Sequence, residues 1–151
     1  VVPEPTVRAN VLFRGGSLDV SADGRWVLVA MGRPGTKESL YTVKAYPAEG
    51  GEAAPICDDC WIEWGPGGKF LYVAFDRFVP GVEVAVAIPI PSGEALPALP
   101  DNGLQREGDA LALPDVRIIE PGSIAPGPDP SIYAFMRTTV QRNLYRIPLP
   151  P

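Results

Sequence analysis

The chain has 151 residues, 46% of them hydrophobic, with a mean hydropathy of +0.06, so it can bury a substantial core and is not a disordered segment despite 19 prolines. Its formal net charge is −5 and it carries no Lys/Arg-rich run, which argues against a nucleic-acid partner, because phosphate binding needs a basic stripe. No apolar run approaches the roughly 20 residues that span a bilayer as a helix. The sequence begins at Val1-Val2-Pro3 without a Met, and we read it as a fragment of a longer chain.

Taken in order, Val7 to Phe13 is a strand candidate closed by Gly15-Gly16, and Leu18-Asp19-Val20 alternates as a half-exposed strand does. An Asp23-Gly24 turn leads into Trp26 to Met31. A Pro34-Gly35 turn precedes Leu40 to Tyr46, and Glu49-Gly50-Gly51-Glu52 precedes Ala53 to Ile56. Four short strands joined by tight turns read as an antiparallel sheet. A second round follows in Trp61 to Trp64, Phe70 to Phe75, Val82 to Ile88 and Ala95 to Leu99, separated by Gly/Pro/Ser turns. The third round offers Ser123-Ile124, Ile132 to Arg137 and Leu144 to Leu149.

The rounds share a register. Ala30, Ala74 and Ala134 each end a turn-plus-strand unit and stand 44 and 60 positions apart, and Leu40-Tyr41, Val84-Ala85 and Leu144-Tyr145 keep the same offsets. The difference is an insertion at 100–114, in which Asp101-Asn102 would cap a short helix through Leu104 to Glu107 with Gly108 limiting its length; we read this insertion as a surface decoration. A four-stranded unit recurring at about 40–45 residues is the spacing of a propeller blade. The expected fold is therefore all-β: a β-propeller of about three four-stranded antiparallel blades. Blade one covers about 14–56, blade two about 60–99 and blade three about 115–151, with strand 7–13 completing a neighbouring third blade.

The residues Asp23-Gly24-Arg25-Trp26 and Gly67-Gly68-Lys69-Phe70-Leu71-Tyr72-Val73, with the paired Leu-Tyr of the third strand, resemble TolB-type (WD40-like) propeller repeats. The segments Ile56-Cys57-Asp58-Asp59-Cys60 and Thr139 to Leu149 resemble the C-terminal propeller of certain bacterial serine/threonine protein kinases. Ala22 and Gly67 depart from the usual Pro and Asp of the repeat turn. The resemblance implies a sensory or interaction region of a bacterial signalling protein, with any catalysis upstream of this chain. Because a propeller closes with four to eight blades, three would pair with three more in a homodimeric six-bladed ring.

Three positions are candidates for ligand binding. Asp19, Glu63 and Ser123 keep the repeat offsets on the innermost strand, where they would line a central channel as a small-ligand or cation site, or as a hydrated polar lining. Cys57 and Cys60 form a lone Cys-x-x-Cys; with no His in the chain it supplies half a zinc site at most, which leaves a local disulfide or two buried thiols. Trp26, Trp61 and Trp64 form either an aromatic binding wall or packing between sheets, and Arg14, Arg25, Lys69 and Arg77 sit beside turns. The absence of His removes Ser-His-Asp and Cys-His catalysis, and no phosphate-cradling loop or kinase signature is present, so no catalytic residue and no cofactor are expected. The competing expectation is a fragment of a propeller hydrolase or lyase using the acids Asp19 and Glu63.

Overall fold

The computed structural model describes residues 19–32, 41–75, 84–120 and 124–135. The expectations for Val7 to Phe13, Leu40, Arg14, Arg77, Ser123 and Leu144 to Leu149 lie outside these residues. Among the described residues the chain is mostly β, arranged in antiparallel sheets. The first sheet runs in chain order through β1 (Asp19–Val20), β2 (Trp26–Gly32), β3 (Tyr41–Pro47) and β4 (Ala54–Asp58). The second consists of β5 (Cys60–Trp64), β6 (Phe70–Phe75), β7 (Ala85–Pro89) and β8 (Arg117–Ile119). A third pairs β9 (Ile124–Pro126) with β10 (Tyr133–Phe135).

Period-two alternation decides how the sheets pack. Leu28, Val43 and Ala45 on one face of the first sheet share a buried cluster with Ile62, Trp64, Leu71, Val73, Val86 and Ile88 of the second. The opposite face of the second sheet presents Tyr72, Ala74, Ala85 and Ala87, which share another cluster with Ile119 and with Ile124 of the third sheet. Both faces of the second sheet are therefore buried, and its central strands read as continuous apolar runs: Leu71, Tyr72 and Val73 are all 0% exposed.

Two links tie the first two sheets together at their shared edge. Cys57 of β4 and Cys60 of β5 are joined by a disulfide across a Cα–Cα distance of 6.1 Å. Between them Asp59 adopts a left-handed backbone (φ 49°), its N–H donating to the Tyr41 carbonyl while its carboxylate accepts the Tyr41 N–H at 2.7 Å. An Asp tolerates that conformation better than most residues, and here its side chain also supplies the missing partner of the β3 start.

The fourth strand of the second sheet is β8, not Ala95 to Leu99. The stretch Ala95 to Leu99, with Pro97 inside it and Pro91 and Pro100 bounding it, does not pair with β7. It crosses the end of the core instead, and the Ala95 carbonyl accepts the Trp64 indole N–H at 2.9 Å. The segment at 100–114 is likewise no surface decoration. Leu104 and Ala110 are both 0% exposed and belong to the cluster between the first two sheets. Leu104 also exchanges backbone bonds with β4, donating to Ile56 (2.8 Å) and accepting from Asp58 (3.0 Å), which covers the edge of the first sheet. Gly103 makes this approach feasible: its φ is +70°, and a Cβ there would stand 2.8 Å from the Ile56 carbonyl oxygen.

The short helix α1 spans Glu107–Leu111, starting where the sequence suggested it would stop. Asp109 explains the shift, because its carboxylate accepts the N–H groups of Gln105 (2.9 Å) and Arg106 (3.2 Å) and so fixes the helix start at Arg106. Asp101-Asn102 belongs to the preceding turn.

Candidate functional site

Each hairpin opens with a six-residue turn closed by one backbone bond. Ser21 N–H donates to Trp26 O at 2.9 Å, Gly65 to Phe70 at 2.8 Å and Gly127 to Ile132 at 2.8 Å. These bonds define which residues correspond. The first two hairpins are 44 positions apart, as the sequence indicates, but the third follows the second by 62 rather than 60. The cross-strand partners agree: Asp19 faces Leu28, Glu63 faces Tyr72, and Ala125 faces Ala134. Ala125, not Ser123, therefore occupies the position of Asp19 and Glu63. A slip of two residues preserves which face a side chain takes, which is why the sequence pattern does not reveal it. The third strands also shift, because Ala30 pairs with Val43 and Ala74 with Ala85, which makes Ala85 the counterpart of Val43 rather than Tyr41.

The two acids have different environments. Asp19 Oδ2 accepts the Trp64 backbone N–H at 2.8 Å and Oδ1 accepts the Val20 N–H at 2.9 Å, so this carboxylate clamps β1 to β5. Glu63 makes no hydrogen bond or ion pair among the described residues. The counterpart of Trp64 in the third hairpin is Pro126, which has no N–H to give. Burial, and then repulsion by Asp19, raises the Glu63 carboxyl above its ordinary pKa. Opposite it, Tyr72 is fully buried, its hydroxyl has no hydrogen-bond partner among the described residues, and burial followed by the charges of Asp129 and Glu63 pushes the phenol up. The tyrosine ring lies over Gly65, where a Cβ would stand only 2.6 Å from Cε2.

A wider feature lies at the turn end of the first two sheets. An open groove of about 640 Å³ runs between the β1–β2 turn, the β5–β6 turn and the segment following β7. Trp64, Phe70 and Ile90 form its apolar lining, and Arg25, Lys69 and Glu94 its charged rim. The first turn is held by side-chain hydrogen bonds. The Ser21 hydroxyl donates to Asp23 Oδ1 at 2.6 Å and accepts the Trp26 N–H at 2.9 Å, while Asp23 accepts the Arg25 N–H (3.0 Å) and its Nε–H (2.6 Å). Those bonds, the Ser21 hydroxyl foremost, hold the Asp23 carboxyl down to about 2. Arg25 Nη2 reaches across to the Gly93 carbonyl at 3.4 Å. The second turn has no such network and relies on Gly67 (φ +87°) and Gly68 (φ +67°).

The remaining candidates divide between packing and junctions. Trp26 and Trp64 pack between the first and second sheets and Trp61 between the second and third, so the tryptophans form no common wall. Asp58 accepts the Thr42 hydroxyl at 2.8 Å and Asp59 is bonded to Tyr41, so the acids of Cys57-Asp58-Asp59-Cys60 serve the strand junction. No group of three or more Cys, Asp or Glu residues among the described residues is arranged to hold a metal ion. No helix among them is long and apolar enough to cross a membrane. The segment Pro89 to Ala95 is the part of the groove that motif reading overlooked, although its Pro91-Ser92-Gly93 turn marks an exposed loop beside a strand end. No family model matches this chain, and comparison with curated proteins and with solved structures returns no match.

Proposed function

We propose that this chain is a non-catalytic binding module: part of a β-propeller that offers the turn end of its first two sheets to a protein segment or small ligand. The groove of about 640 Å³ is the observation that carries the reading, because three separate turns contribute an apolar lining and a charged rim to one concave surface. The propeller architecture is supported by three hairpins with matching turns and by a second sheet packed on both faces, as a radially stacked blade would be. TolB-type repeats in the C-terminal region of a bacterial serine/threonine kinase are the setting we favour, on the motifs around Asp23, Gly67 and Cys57. An enzymatic role would have to use Asp19 and Glu63, yet both oxygens of Asp19 accept backbone N–H groups.

The test is a screen of short peptides and small molecules, read through tryptophan fluorescence and amide chemical shifts. Ligands should perturb the amides of Gly68, Lys69 and Ser92, and Ser92→Trp, which fills the groove from an exposed position, should weaken them at least tenfold. Ligands that bind Ser92→Trp and the parent chain equally well would refute the assignment.

A further inference from the structure

The packing between sheets follows one rule, applied twice. The face carrying Leu28 in the first sheet meets the Leu71/Val73 face of the second, and the equivalent Tyr72 face of the second meets the Ile124/Tyr133 face of the third. Two faces of these two kinds remain. On the first sheet, Val20, Val27, Val29 and Met31 correspond to Trp64, Leu71, Val73 and Phe75. Val20 is 51% exposed where Trp64 is 7%, and Val27 and Val29 are half-exposed where Leu71 and Val73 are fully buried. On the third sheet, Ala134 is exposed where its counterparts Leu28 and Tyr72 are buried, and Ile132 beside it is 58% exposed. Each surface is half of an interface that the chain already makes.

We infer that the partner of these surfaces is a second copy of this chain, the Ile132/Ala134 face of each copy covering the Val20/Val29 face of the other. The inference rests on the radial stacking proposed above. Head-to-tail contact of this kind closes when the rotation per sheet returns to the start, and two copies of three sheets make a closed six-sheet ring. Tyr46, beside Met31 on the same face, is half-exposed and apolar over its ring, while the charged side chains of this face among the described residues are Lys44 and, at its β4 edge, Asp58, which is bonded to the Thr42 hydroxyl. A single extra copy thus buries at once both faces that no other described residue covers, which a face-to-face dimer through either surface alone would not do.

Analytical ultracentrifugation of the full chain, with Val29→Glu and Ala134→Lys as separate variants, tests this. Val29 faces Lys44 across the strands, so the glutamate has a compatible neighbour in the folded monomer, and far-UV circular dichroism checks that each variant keeps its sheets. The parent should sediment as a dimer at micromolar concentration. Each variant alone should dissociate at least tenfold more readily, because both of its junctions bury an introduced charge. An equimolar mixture should recover the dimer, with one junction carrying opposite charges and the other unaltered. A monomeric parent, a dimer indifferent to either substitution, an open-ended oligomer or a mixture that fails to recover would each overturn the inference. A monomer that still binds ligands in the groove would leave the binding proposal standing, so the two failures are distinguishable.

Discussion

Truncation of Asp19 to alanine probes the joint between the first two sheets. Its Oδ2 lies 2.8 Å from the Trp64 N–H, and Trp64 is only 7% exposed, so the substitution strands a backbone donor where water has limited access. A hydrogen bond to a charged group contributes about 1.5–3 kcal/mol net. Asp19 itself is half-exposed, which places the expected loss near the lower end, about 1.5 kcal/mol. With a urea m-value of roughly 1–3 kcal/mol/M, the unfolding midpoint should fall by roughly 0.5–1.5 M at fixed protein concentration, followed by tryptophan fluorescence. Asp19→Asn keeps an acceptor oxygen and should lose less than the alanine variant. Glu63→Gln is the control, since Glu63 occupies the equivalent position and makes no hydrogen bond or ion pair among the described residues. Equal midpoints for Asp19→Ala and the parent, or a larger loss in Glu63→Gln, would refute the clamp.

Other substitutions test the remaining parts. Because the folded Glu63 carboxyl binds its proton more tightly than the ordinary value of 4.5, its ionisation costs stability that is absent below that value and grows as pH rises through the folded pKa; Glu63→Gln should flatten this slope in pH-dependent melts. Asp23 has the opposite sign: its folded pKa of about 2 against an ordinary 3.8 gives stability present above 3.8 and lost as pH falls toward 2, and Asp23→Asn should remove that acid limb. Gly24 and Gly103 share a left-handed backbone (φ +71° and +70°), but a Cβ at Gly24 meets nothing within 4 Å while one at Gly103 meets Ile56. Gly24→Ala should therefore cost about 1–2 kcal/mol in urea unfolding, and Gly103→Ala clearly more. Leu104→Ala should cost about 2–5 kcal/mol by opening a cavity in the core between the first two sheets; a cost near zero would return 100–114 to the status of a surface loop.

What the sequence shows and what it hides follow from the range of each interaction. Turn chemistry and alternation are local, so β2, β3 and β6 are legible from Asp23-Gly24, Gly67-Gly68 and the apolar runs that follow them. Strand register depends on which backbone groups pair, and a two-residue slip leaves the apolar pattern unchanged, so the pattern does not separate Ser123 from Ala125. The position of β8 was hidden for a different reason. Nothing local to Arg117–Ile119 says that it, rather than the nearer Ala95 to Leu99, completes the second sheet; the pairing goes with long-range packing, in which the intervening Leu104 is buried. Asp19 and Glu63 look alike in sequence, and only the contrast between the Trp64 N–H and Pro126 separates a structural clamp from an acid with no hydrogen bond among the described residues. The groove draws on three turns distant in sequence, two of which carry ordinary turn residues.

The most direct measurement of the central claim, that the second sheet is packed on both faces by equivalent neighbours, is a methyl- and aromatic-resolved NOESY spectrum of the full chain. Leu71 and Val73 methyls should show cross-peaks to Leu28 and Val43, and the Tyr72 ring should independently show cross-peaks to Ile119 and Ile124. Cross-peaks from Leu28 to both Leu71 and Tyr72, or a Tyr72 ring with no contact to Ile124, would contradict it.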